Sequence, residues 1–165
     1  ANDQAVIDRF ADTLTAATAG RLDHWTHTPR GRLALVIVLD QFPHPIHRDR
    51  PQAFATDPQS LALSLAALET GEDRKLSPIE RVFLYLPLEH AESIEMQERS
   101  VSLYEQLAHE AAADERALFD NFLDYARKHL DVVARFGRFP HRNEILGRPS
   151  TPEELEFLKQ PGSRF

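Results

Sequence analysis

The sequence contains no cysteine, which rules out disulfides, zinc–thiolate and iron–sulfur centres and thiol nucleophiles on this chain. Such a composition suits a reducing compartment, and a cytoplasmic location is the expectation. Long apolar runs are also missing. The longest, Leu33 to Leu39, falls far short of the roughly 20 residues of a membrane-spanning helix. There is no signal-peptide pattern of basic flank, apolar stretch and small-residue cleavage site. The chain starts at Ala1 without a methionine, so a segment removed upstream is expected. Positive charge is scarce: 19 Lys and Arg against 26 Asp and Glu leave a formal charge of −7. Nucleic-acid binding needs the opposite balance, and neither nucleic acid nor membrane is an expected partner. No sustained two-residue alternation of apolar and polar side chains occurs, so strands are not expected. No regular repeat and no low-complexity tract is present.

What is present are helix signals. The pairs Thr28-Pro29, Asp57-Pro58, Ser77-Pro78 and Thr151-Pro152 each join a capping side chain to a proline suited to the first helical position. Two continue as Ser77-Pro-Ile-Glu80 and Thr151-Pro-Glu-Glu154, the pattern of a capping box. Gly20, Gly71 and Gly137 follow apolar-periodic stretches and read as helix stops. These signals predict helices over 3–19, 29–42, 58–70, 78–110, 115–136 and 152–159, with a break at Pro87 where a backbone donor is lost. Loops are predicted over 43–57, 71–77 and 137–151. The first helix turns Val6, Phe10, Leu14 and Ala17 inward, the third Leu61, Leu65 and Leu68. The long one turns Phe119, Phe122, Leu123, Ala126, Leu130 and Val133 inward. The helix over 29–42 is apolar nearly all round and is expected at the centre. A chain of 165 residues suits one domain; the expectation is a single all-α domain over 1–165, an irregular bundle of antiparallel helix pairs.

Polar residues on core faces carry the functional reading. Asp40 closes the apolar stretch Leu33–Leu39, and a carboxylate there needs partners. These are either backbone amides of the following loop or an arginine, structural or ligand-linked. One helix face reads His90, Ile94, Gln97, Val101, Tyr104 and Ala108, which turns His90 and Gln97 inward. Glu92, Glu95 and Glu98 form a solvated face. Neither His-x-x-x-His nor Glu-x-x-His occurs at His90, and no metal or cofactor is expected.

The most distinctive segment is Arg135-Phe-Gly-Arg-Phe-Pro-His-Arg-Asn143. Arg127 to Arg148 holds six Lys or Arg against two acids. A helix stop at Gly137 and a new turn at Pro140 crowd Arg135, Arg138, His141, Arg142 and Asn143 onto one corner. Guanidinium groups recognise carboxylate or phosphate through paired hydrogen bonds, and His141 titrates near neutrality. The alternative is a structural lock, with the arginines on helix carbonyls and paired with Asp40 or Glu89.

In this order Leu39-Asp-Gln-Phe-Pro43, Ala53-Phe-Ala-Thr-Asp-Pro58, Phe83-Leu-Tyr-Leu-Pro-Leu-Glu-His90, Gln97-Glu-Arg-Ser100 and Arg135 to Asn143 resemble a bacterial family known as domain of unknown function 924. Arg148-Pro-Ser-Thr-Pro-Glu-Glu154 and Pro161-Gly-Ser-Arg-Phe165 extend the resemblance to essentially the whole chain. It implies an all-helical, tetratricopeptide-like fold and no established activity. Two departures stand out. The family's aromatic segment before the first helix lies upstream of this chain, and Phe42-Pro43 is followed by His44-Pro45 rather than Arg-Asn. His44, His47 or Arg48 are then the substitutes in that loop.

Three functions compete. The first is a scaffold binding a small anion or a peptide carboxylate in a polar pocket of Asp40, Gln41, Gln97, Arg135, Arg138, Arg142 and Asn143, beside His90 and His141. The second is an acid–base or hydrolytic enzyme on an anionic substrate, with His90 or His141 moving the proton; no Gly-x-Ser-x-Gly elbow accompanies it. The third is a protein-interaction domain, an analogy at the level of fold. A catalyst predicts a pocket with at least two titratable groups of shifted ionisation. A binding module predicts arginines without a poised base, and an interaction domain an exposed apolar groove. Oligomeric state has no signature in the sequence.

Overall fold

The computed structural model describes residues 2–165, which are helical without a strand among them; Ala1, where an upstream segment would join, lies outside the described residues. Helix α1 (Asn2–Thr18) leads through a 3₁₀ turn (Asp23–His27) into α2 (Pro29–Asp40) and the short α3 (Pro43–Ile46). Then come α4 (Asp57–Thr70), α5 (Pro78–Glu89), α6 (Ile94–Glu110) and α7 (Arg116–Phe136). A 3₁₀ turn (Pro140–Arg142), α8 (Asn143–Leu146) and α9 (Pro152–Phe157) complete the chain.

The helix starts behave as their chemistry requires. Thr28 accepts from the Gly31 amide, and Ser77 and Thr151 each close a full capping box. Asp57 is the exception. It is the first residue of α4 and caps nothing, its carboxylate turning toward Arg142 instead. Gly71 and Gly137 end α4 and α7 in the left-handed conformation, which glycine adopts at no steric cost.

The break expected at Pro87 falls three residues later. Pro87 lies in the last turn of α5, where one ladder bond is lost, and the amides of His90 and Ala91 still bond Leu86 and Leu88. The separation of α5 from α6 is set by Ser93, whose hydroxyl caps α6. His90 therefore closes α5 rather than opening α6, and Ile94 is exposed. The expected loops are largely short helical turns: α3 and a turn over Pro51–Ala53 in the first, a turn over Glu72–Lys75 in the second, and α8 in the third. Proline at the first position starts α3 and the turn over Pro51–Ala53.

Helix α2 is central, with Leu33, Leu35, Val36, Val38 and Leu39 buried. It packs against α1, α4 and α5, and α6 pairs with α7. The inward face of α4 is not the leucine face. Ser60, Ser64 and Ala67 are buried while Leu61, Leu65 and Leu68 are half-buried, because small side chains let α4 lie close to the bulky face of α2. On α7 Phe119, Leu123, Ala126 and Val133 are buried as expected, and Phe122 and Leu130 pack at the margin. A separate cluster of Val132, Val133 and Phe139 joins α7 to the segment that follows it. Among the described residues no helix is long and apolar enough to cross a membrane.

The backbone of α2 meets the preceding turn at Gly31. A Cβ there would stand 2.0 Å from the Trp25 carbonyl oxygen and 2.8 Å from the Thr28 hydroxyl. Alanine normally favours a helix over glycine by about 1 kcal/mol. Here the sign reverses: Gly31→Ala is expected to destabilise by about 1–3 kcal/mol, read as a lower urea midpoint with an unchanged slope. An unchanged or raised midpoint would show that the turn yields freely.

Candidate functional site

Asp40 ends α2 with 1% of its surface accessible, so its carboxylate depends on protein partners. They are neither loop amides nor an arginine. His90 donates from Nδ1 to Asp40 Oδ1 at 2.9 Å, and the Gln41 amide donates to the other oxygen. Burial alone would raise Asp40, but the His90 charge and hydrogen bond hold it below its ordinary value. For His90, burial opposes the cation, and the charge and hydrogen bond of Asp40, backed by Glu89, outweigh it. The imidazole is pushed up to about 8. At neutral pH the pair is an ion pair, with Nε2–H left as the donor His90 can present to the cavity it lines.

That cavity encloses about 350 Å³ and is lined by Gln41, His44, His90, His129, His141 and Arg142, with Phe54, Phe139, Pro45 and Phe165 as its apolar walls. No aspartate or glutamate is among its lining residues. Arg142 is buried, with its guanidinium 4.5 Å from the Phe54 ring and 4.7 Å from the Phe139 ring. It donates from Nη2 to the His90 carbonyl at 2.9 Å, and its Nε has no partner. The His90 ring lies 6.3 Å from His44 and 6.2 Å from His129.

The other histidines are held neutral. Burial, then the charges of His90 and Arg142, pushes His129 down to about 4. Burial and Arg142 do the same to His141, and burial and His90 lower His44. His129 donates from Nδ1 to the Tyr125 carbonyl at 2.7 Å, which leaves its Nε2 as an acceptor. Phe165 stacks on that ring at 3.8 Å. Behind the wall, burial raises Glu89 to about 7, the range of a working acid–base group.

The expected site residues divide. His90, His141, Gln41 and Arg142 line the cavity, and Asp40 stands directly behind His90. Gln97 does not reach it: its amide donates to the carbonyls of Glu89 (2.6 Å) and Ala91 (2.8 Å), closing the end of α5. Arg135 is exposed and lies over the Phe136 ring at 4.6 Å, because it projects from the outer side of α7. Arg138 donates to both oxygens of Glu154, at 3.0 and 2.8 Å, and Asn143 donates to Ser150 and Glu154. These bonds fasten α9, and with the Arg138 hydrogen bonds foremost Glu154 is held down at about 2.

Glu92 is not on a solvated face. It accepts from the Phe139 amide at 2.7 Å and from two nitrogens of Arg148 at 2.8 and 3.0 Å. His129, Phe54 and Phe165 were not singled out in the sequence. A signal existed for His129, which lies three residues after Ala126 and four before Val133 on the core face of α7. Among the described residues no three His, Asp or Glu side chains stand together as a metal-binding group.

The fold and the cavity define an all-helical protein with a pocket lined by histidines and a buried arginine. A family model described as "Bacterial protein of unknown function (DUF924)" matches residues 1–162, and the chain belongs to that family. It is similar to a solved structure of a protein of unknown function from Agrobacterium tumefaciens. Identity is 40%, with a TM-score of 0.84 over 95% of this chain and 83% of that one. No curated protein matches the chain.

Two outcomes are expected. A histidine whose folded value lies above its unfolded one stabilises the fold fully below the unfolded value, and loses this as pH rises through the folded one. For His90 that loss runs from about pH 6.5 to about 8. A side-chain NMR titration should show the folded His90 transition near pH 8, and Asp40→Asn should lower that transition by about one unit or more and flatten the stability curve between about pH 6.5 and 8. Arg138→Ala should lower the midpoint of chemical denaturation while leaving the His90 titration where it was. A displaced titration would mean that the α9 fastening also sets the cavity.

Proposed function

We propose that the protein binds a small anionic molecule in the His90–Arg142 cavity and transfers a proton on it. One observation carries this reading: an aspartate-paired histidine and a buried guanidinium converge on one cavity whose ionisable side chains are all basic. A ligand carboxylate or phosphate would meet charge and donors together, from Arg142 and from protonated His90. His90, raised to about 8, starts as the acid, and Asp40 stabilises its charged form. His141, neutral and on the same lining, is the acceptor, and a bound anion would raise its basicity.

The lining offers no hydroxyl or thiol. Any hydrolysis would therefore use water as the nucleophile, and proton transfer within the bound molecule needs none. The same absence favours a second reading, an anion-binding module that performs no chemistry.

Thermal melts with inorganic phosphate, acetate and N-acetylalanine, read together with the His90 NMR signals, test the binding. At least one of these anions is expected to raise the melting temperature and shift His90 and His141. If none does either, the reading fails. A panel of phosphate and carboxylate esters then tests the chemistry. His90→Gln, which keeps a donor for Asp40, is expected to lower turnover by about 100-fold or more. Binding with no turnover by the unaltered protein would leave the module.

A further inference from the structure

A second cavity lies on the other side of the wall formed by Phe54, His90 and Arg142. It encloses about 460 Å³ between the start of α4, the α5–α6 corner and α8, within the size range of small-molecule sites. Its character differs from the first. Phe54, Pro58, Leu61, Pro87 and Leu146 make most of its surface apolar, and the carboxylates that reach it are Asp57 and Glu92.

These two acids are not equivalent. Glu92 is saturated by Arg148 and the Phe139 amide. The Asp57 side chain accepts no hydrogen bond. Its Oδ1 is enclosed without a partner, and Oδ2 lies 3.7 Å from Arg142 Nη1, beyond hydrogen-bond reach. Arg142 cannot turn to close that gap while it is held between two aromatic rings and bonded to the His90 carbonyl. The side chain of Asp57 keeps about a fifth of its surface accessible, so approach is through Oδ2. Burial accordingly raises its carboxyl to about 6.

A carboxylate left without donors beside an apolar wall is complemented by an N–H cation on an apolar body, and it repels an anion. We propose that this cavity is a second binding site, which takes a primary amine carried on an apolar group. The ammonium bonds Asp57, and the body rests on Phe54, Pro58, Leu61 and Pro87. The site stands whether or not the basic cavity holds an anion.

Benzylamine and its neutral counterpart benzyl alcohol test it, followed through the methyl signals of Leu61 and Leu146. Benzylamine is expected to shift both in a saturable way, with benzyl alcohol about tenfold weaker or more. Asp57→Asn should erase that preference. Ala55→Trp, which fills the cavity from an exposed lining position, should weaken both compounds and decides the matter if the Asp57 variant does not fold. The proposal is overturned if benzylamine leaves the leucine signals unmoved, if the two compounds bind equally, or if the shifts appear at His141 instead. Unchanged binding to Asp57→Asn or to Ala55→Trp overturns it as well.

Discussion

Glu92 accepts three hydrogen bonds at the point where the α5–α6 corner meets the chain beyond α7. Its two oxygens hold a backbone amide and a guanidinium from residues 139 and 148, so one side chain fixes both ends of the intervening loop. Burial alone would raise it, but these bonds keep the carboxyl below its ordinary value. Charge-assisted bonds of this kind are roughly twice as strong as neutral ones. The geometry downstream depends on it. With Phe139 fixed, its buried ring becomes one of the two faces that hold the Arg142 guanidinium. Arg142 in turn bonds the carbonyl of His90, on the same corner that bears Glu92. Cavity and lock are thus two sides of one junction.

The basic segment serves both because a tight turn sends neighbouring side chains in opposite directions. Arg138 and Asn143 face α9 and spend their donors on Glu154. Between them, His141 and Arg142 face the core histidines. The energetic logic differs on the two sides. Glu154 is nearly buried yet fully bonded, so it costs little. Arg142 is buried with one nitrogen unpartnered and its nearest carboxylates at 3.7 and 3.9 Å. An incompletely neutralised buried cation is expensive, and the proposed anion would offset that cost. The 165 residues carry −7, so their long-range field opposes an approaching anion. On the proposed reading, selectivity in that cavity would come from short-range donors rather than from steering.

The fold was legible because its punctuation is local. Ser77, Thr151 and Gly137 act within one turn of where they stand, and their helices begin or end there. Positions set by a neighbouring helix were not legible. The leucines of α4 looked inward until the close approach of α2 gave that face to Ser60 and Ser64. The site was half visible. Asp40 and His90 were conspicuous as polar residues on core faces, but their partnership spans 50 residues, and no spacing rule reaches that far. Arg135 and Arg138 resembled Arg142 in sequence and differ from it in direction, Arg135 by its place on the outer side of α7 and Arg138 by the turn that follows. Glu92 was read as solvated because its period matched Glu95 and Glu98, and that pattern ends at the Ser93 cap.

The two cavities share Phe54, His90 and Arg142, and this sets the sign of any coupling between their occupants. Arg142 balances its charge against Asp57 on one side and offers it to the basic cavity on the other. An ammonium on Asp57 takes up part of that counter-charge, leaving more of the guanidinium field for an anion across the wall. The reverse holds equally, since coupling between two binding equilibria is reciprocal. Unlike charges on opposite sides of the partition also attract directly, and low surrounding polarity strengthens the attraction. Both effects have the same sign, so occupants of the proposed kinds would favour one another. A single zwitterionic molecule is not required for this: two separate ligands of opposite charge would cooperate through the partition alone.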